Sequence, residues 1–206
     1  MKDYIRYAIG VGMLILAIVV MVVLFNIIRN TINDGGDKPQ ESSQNQSKVV
    51  DGKKVDLLAA PTSNQSVRFT TRGAVYGNER HFSIRITVDR NTRLVEVVQG
   101  YDQTVVKSQS SPNTQDSYKA FVEALNGAGF TKSVDAEGRG AETQTCPLGY
   151  IYSFEVAPGT NSSFRTWSNS CKKAEGTSQA NRDIVQQLFQ RQIPDYDKFV
   201  QGVRLS

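Results

Sequence analysis

From Tyr7 to Ile28 the chain carries only two polar side chains, Tyr7 and Asn26, and no charged residue. At the helical rise of about 1.5 Å per residue this run would reach about 33 Å, against about 30 Å of bilayer hydrocarbon. It is long enough to span as one helix. A secretory signal peptide has a shorter apolar region, typically about 7–15 residues, ending at a small-residue cleavage site. Here the run passes into Asn26-Ile27-Ile28-Arg29-Asn30 without one, so an uncleaved signal-anchor is expected. Lys2, Arg6 and the terminal amine precede it, whereas Arg29 is the only base after it until Lys38. This bias predicts residues 1–6 in the cytoplasm, a transmembrane helix over 7–28 contacting the lipid bilayer, and the rest outside. The predicted location is therefore the cell membrane, crossed once.

Residues 29–50 are Gly, Ser, Gln, Asn and charge with few apolar side chains, a composition that buries no core. A flexible stalk is expected there, reaching about 25 Å on average. Residues 51–206 remain for one domain. Phe82, Ile84, Ile86 and Val88 alternate with polar residues, and Asp89-Arg90-Asn91-Thr92 makes a turn into a second strand over Leu94–Val98. Val67–Arg72 and Thr104–Ser108 are expected in the same antiparallel sheet. The period then changes: Tyr118, Phe121, Val122 and Leu125 form a helical stripe that Gly127 and Gly129 can end. Alternation returns over Tyr150–Val156 and Phe164–Ser170, a second hairpin around Pro158-Gly159. Ile184, Val185, Leu188 and Phe189 mark a further helix, and Tyr196, Phe199, Val200 and Val203 a short terminal one. The expected class is α+β, an antiparallel sheet with two to three helices packed on one face, preceded by the transmembrane helix.

Chemistry-bearing residues are sparse. The net charge is +4, with the basic residues spread rather than clustered, so no nucleic-acid partner is expected. The two cysteines, Cys146 and Cys171, lie in the region placed outside the cytoplasm, where a structural disulfide is the natural reading; there is no Cys-x-x-Cys and only one histidine, His81. His81 has no nucleophile or ligand spacing around it. Ser170 and Lys173 match Ser-x-x-Lys, but Cys171 lies inside the motif. Phosphate-binding glycine patterns are absent, and Asn45, Asn64 and Asn161 begin Asn-x-Ser sequons of a kind an Asn/Ser-rich chain contains by composition. No enzyme activity, catalytic residue, metal or cofactor is expected. Aromatic residues gather on the second hairpin; with Phe164 and Thr166 facing inward, Trp167 points out, where it could anchor a partner.

Cys146-Pro147-Leu148-Gly149-Tyr150, followed by a hairpin ending in Trp167-Ser168-Asn169-Ser170-Cys171, resembles the C-terminal part of the bacterial subtilisin-inhibitor family. The resemblance implies a pairing of these cysteines and a protease-contacting bond between Leu148 and Gly149. The chain departs from the family in lacking the second disulfide beside this loop and in placing Ile151-Tyr152 where the family has Asp-Pro. Gly149 is also expected to loosen a bond whose rigid presentation is the basis of inhibition. The leading expectation is thus a membrane-tethered, extracytoplasmic binding domain for a protein or cell-envelope component, with Pro147, Leu148, Gly149, Tyr150 and Trp167 as candidate contacts. Protease inhibition through Cys146–Tyr150 is the alternative.

Overall fold

Six segments, with apolar and polar side chains alternating most regularly along Phe82–Val88, become the strands of one antiparallel sheet. In the computed structural model, residues 56–62, 64–137, 139, 141–158, 164–171 and 176–205 are described. The expected N-terminal segment 1–6, transmembrane helix 7–28 and stalk 29–50 lie outside them, as do Gly159, Asn161 and Lys173. No helix among the described residues is long and apolar enough to cross a membrane. The strands are β1 (Gln65–Arg72), β2 (Phe82–Val88), β3 (Thr92–Gln99), β4 (Thr104–Pro112), β5 (Ile151–Pro158) and β6 (Phe164–Asn169). The helices are α1 (Gln115–Gly127), α2 (Arg182–Gln190) and α3 (Tyr196–Val200). The fold class is α+β.

Strand order is β4-β3-β2-β1-β5-β6, so the chain descends a four-strand meander, crosses by α1, and returns to the free side of β1. Register puts Val67 between Val88 and Val156, and Phe69 between Ile86 and Phe154, so one face carries a continuous apolar row. That face packs against the helices. Phe69 stacks on Phe189 of α2 at 5.5 Å, Phe121 of α1 meets Phe189 edge-on at 5.1 Å, and Phe130 meets Phe154 at 5.8 Å. Tyr118, wholly buried in this layer, donates its hydroxyl to the Gln65 carbonyl at 3.1 Å, and burial pushes its phenol up.

Local chemistry sets the corners. Asp89 Oδ1 accepts from the amides of Asn91 and Thr92 at 2.7 and 2.8 Å, fixing the β2–β3 turn as an Asx motif. Thr114 caps α1 by accepting from Ser117 N–H. At the other end Gly129, with φ of 75°, lets Phe130 donate to Leu125 and Gly129 to Asn126, a Schellman ending that drives Phe130 into the core. The α1 stripe is buried as expected. In α2 only Val185 and Phe189 are fully buried, and Ile184 is exposed: with nine residues, that helix rests on the sheet along a narrower line than its four apolar residues allow.

The opposite face of the sheet is charged. Arg68 and Arg165 flank Glu155 at 3.2 and 3.0 Å, and Arg85 meets Glu96 at 2.8 Å, all pairs between side chains on neighbouring strands. The two sheet edges differ. Trp167 of β6 donates its amide to Thr177 Oγ1 and accepts at its carbonyl from Ser178 N–H, and residues 177–179 bond in turn to 132–134. The β6 edge is thereby covered. Among the described residues, nothing pairs with the outer edge of β4.

Candidate interaction site

β5 and β6 deliver Tyr150 and Ser170 to one end of the sheet, where their ladder continues by one more pair. Ser170 N–H donates to Tyr150 O at 3.0 Å, and Tyr150 N–H donates to Ser170 Oγ at 2.8 Å. Just beyond, the disulfide between Cys146 and Cys171 closes the hairpin, with their Cα atoms 5.8 Å apart. The expected pairing is therefore present. Pro147 and Leu148 occupy the corner of a turn closed by Gly149 N–H donating to Cys146 O at 3.2 Å. Proline suits the first corner position, because its ring presets φ.

Gly149 is held, not loose. A Cβ built on it would lie 2.5 Å from both Cys146 Sγ and Ser170 Oγ, so glycine is needed for the backbone to pass beneath the disulfide. The expected loosening of the Leu148–Gly149 bond is thus countered by packing. From the other side, Val75 N–H donates to Pro147 O at 2.7 Å. Leu148 is left 88% exposed at the corner.

Its neighbours come from segments without a sequence motif. Gly73 N–H donates to Phe82 O, Ala74 N–H to Leu205 O and Val75 N–H to Pro147 O, so three consecutive amides fasten this crossing to β2, the C-terminal segment and the Leu148 turn. Side-chain space enforces it at Gly73, where a Cβ would lie 2.0 Å from Leu205 O. His81, the lone histidine, is buried beneath. Its Nδ1 donates to Ala74 O at 3.0 Å, and its ring stacks on Tyr101 at 4.3 Å. Since a carbonyl only accepts, Nδ1 carries the proton. Tyr101 in turn donates its hydroxyl to Tyr76 O at 2.9 Å. Val75 and Tyr101 are each 53% exposed. Leu148, Val75 and Tyr101 therefore crown one end of the sheet, on loops tied to each other. Alternation in the strands gives no hint of Val75 or Tyr101, which lie between strands.

Tyr150 is half-buried and turns away from this crown, lining an open groove of about 540 Å³ with Ile84, Val200, Val203, Arg204 and Leu205. Trp167 is the correction. It lies on the outer face as its parity requires, paired with Ser153, yet only 5% of it is exposed. The chain after α1 crosses that face: Glu142 reaches Ser153 and Arg165, the residues across from and next to Trp167. A covered tryptophan is no contact for a partner.

Glu142 is the feature that sequence reasoning missed. Its carboxylate sits between Arg72, at 3.6 Å, and Arg165, which binds it through both terminal nitrogens, and it also accepts from the Ser153 hydroxyl at 3.3 Å. Burial alone would raise its pKa, but the Arg165 hydrogen bonds and charge, the Arg72 charge and Ser153 together hold it below the usual carboxylate range. Burial would likewise lower Arg165, and Glu142 with Glu155 outweighs this and pushes it up. Arg72, with less compensation from Glu142, is lowered by its burial. This cluster pins the loop leading to Cys146 onto the sheet. Among the described residues no group of three His, Cys, Asp or Glu side chains could hold a metal ion. Compared with known proteins, the chain matches no family model, no curated sequence and no solved structure.

Proposed function

We propose that residues 51–206 form a non-enzymatic binding domain, tethered outside the cell membrane by residues 7–28, that docks a protein partner with its Leu148 end. One observation carries this reading: an 88% exposed leucine stands on a turn fixed by a disulfide and by hydrogen bonds from Gly149 and Val75. Leaving a leucine in water forgoes about 2 kcal/mol of burial, and a turn already ordered has little entropy left to lose on docking. Val75 and Tyr101 widen the apolar area around it. A photo-crosslinking side chain at position 148 of the full chain in intact cells should trap a specific protein, whereas one at Glu123, on the exposed side of α1, should not. Leu148→Ala should then weaken that partner about tenfold, as loss of one anchor side chain does. Equal trapping at both positions would sink the proposal.

The tether is tested separately. A membrane-impermeant thiol reagent added to intact cells should label Cys146 and Cys171 only after reduction, and labelling that needs lysis would place the domain inside.

Protease inhibition is the second reading, favoured by the exposure of Leu148 next to the clamped Leu148–Gly149 bond. For this bond to lie extended in a protease cleft, the Cys146–Gly149 hydrogen bond would have to open, which supports docking as a turn over inhibition. Incubation with subtilisin-like and trypsin-like proteases decides it: slowed enzyme supports inhibition, and digestion of the chain with the enzyme unslowed ends it.

A further inference from the structure

An unpaired strand edge displays N–H and C=O groups ready to bind another strand, and folded proteins usually obstruct it with charge, proline or a covering segment. The β6 edge is obstructed in this way by residues 177–179. The β4 edge is not. Asn113 N–H donates to Asn91 O, one step beyond the Thr92–Pro112 pair. Because bonding alternates along an antiparallel ladder, Ser111, Gln109 and Lys107 then turn their backbone groups toward β3, and Ser110 and Ser108 turn theirs outward.

The charge that could protect this edge is drawn away. Lys107 Nζ binds Phe199 O and lies 4.6 Å over the Phe199 ring, and Gln109 Nε2 donates to Pro194 O at 3.0 Å. Both side chains hold α3 on the helix side. The rest of β4 is uncharged, and Val105 and Val106 are 44% and 48% exposed. Pairing should stop at Pro112, which lacks an N–H and whose carbonyl is taken by Arg93 at 2.8 Å.

We infer that β4 pairs antiparallel with β4 of a second copy of this chain, with Gln109 on the two-fold axis and Ser108 opposite Ser110 of the second copy. This joins two six-strand sheets into one. A self-pairing edge must bring no like charges together, and β4 brings none, because Lys107 is turned to Phe199. The same register sets exposed Val106 beside Pro112 of the second copy at both ends, giving the Val106 of each copy an apolar neighbour. The contact is isologous and closes after two copies, since the β6 edge is covered.

The test uses the full chain in detergent micelles, with mass measured by analytical ultracentrifugation across a concentration series. The chain should approach the mass of two copies at the upper end of the series. Ser110→Glu and Ser110→Lys, each near its own copy across the axis, should each sediment as single chains, and an equimolar mixture of the two should restore the two-copy mass. Ser110→Pro removes an outward N–H while leaving the β3 ladder intact, and should also give single chains with an unchanged circular dichroism spectrum. A wild-type chain that is single throughout, a dimer that survives Ser110→Glu, or a mixture that stays single would each overturn the inference.

Discussion

Replacing Glu142 by glutamine is expected to remove about 3 kcal/mol of stability in urea unfolding, the scale on which a buried ion pair fails when one partner is neutralised. Arg72 and Arg165 side chains are 25% and 21% exposed, too little for water to replace a lost carboxylate fully. Glutamine can still accept a hydrogen bond, but it offers no charge to either guanidinium. A loss below about 1 kcal/mol, the range of exposed pairs, would mean that solvent already screens this cluster. The pH dependence carries a sign. Glu142 is held below its ordinary value of 4.5 in the fold, so its stabilisation is fully present above that pH and is lost as pH falls through the lower folded value. The wild-type acid limb should therefore be steeper than that of Glu142→Gln, and identical limbs would rule out the carboxylate as the acid-sensitive group.

Removing the disulfide by Cys146→Ser with Cys171→Ser is the second large effect expected. The bond spans a sequence separation of 25 residues, and the chain-entropy account assigns such a loop about 3.5 kcal/mol. The functional loss should be disproportionate. Gly149 is packed directly against both sulfurs, so the Leu148 turn loses the surface it rests on, while Glu142 still fastens the preceding loop. Amide exchange over residues 146–150 should then speed up far more than exchange in β1 or β5. If those loop amides stay as protected as in the wild type, the turn is held by Val75 and Ser170 alone and the disulfide is only a general staple.

Elements were legible where side-chain period has a single physical source. The stripe Tyr118, Phe121, Val122 and Leu125 can be buried only by a helix, and Phe82–Val88 only by a strand with one wet face; both are found so. Strand order was not legible, because the pairing of β1 with β5 joins residues about ninety positions apart and no local pattern encodes it. The same blindness explains Trp167. Its parity correctly assigned the outer face, but the chain around Glu142 lies over that face, and its polar sequence looks like solvent-exposed loop. Glu142 is one of three acids in that loop, with Asp135 and Glu137, and only the sheet brings Arg72, Ser153 and Arg165 within its reach. At the interaction end, Cys146–Tyr150 was marked by its cysteine and proline, whereas Val75 and Tyr101 needed the crossing at Gly73–Val75 to bring them alongside.

The central place of β1 also decides how the domain would carry a pull. Under the proposed tether, force from the membrane reaches β1 through the short turn Leu57–Thr62, whose Leu57 and Ala60 are buried in the core, while a partner at Leu148 holds the opposite end of β1, about 26 Å away at the usual rise per residue. The load then runs parallel to β1, which is hydrogen-bonded along its length to β2 on one side and β5 on the other. Yielding requires many of these bonds to slide at once, whereas an edge strand pulled sideways would release them one after another. A tether entering next to a middle strand would make the sheet resist in shear.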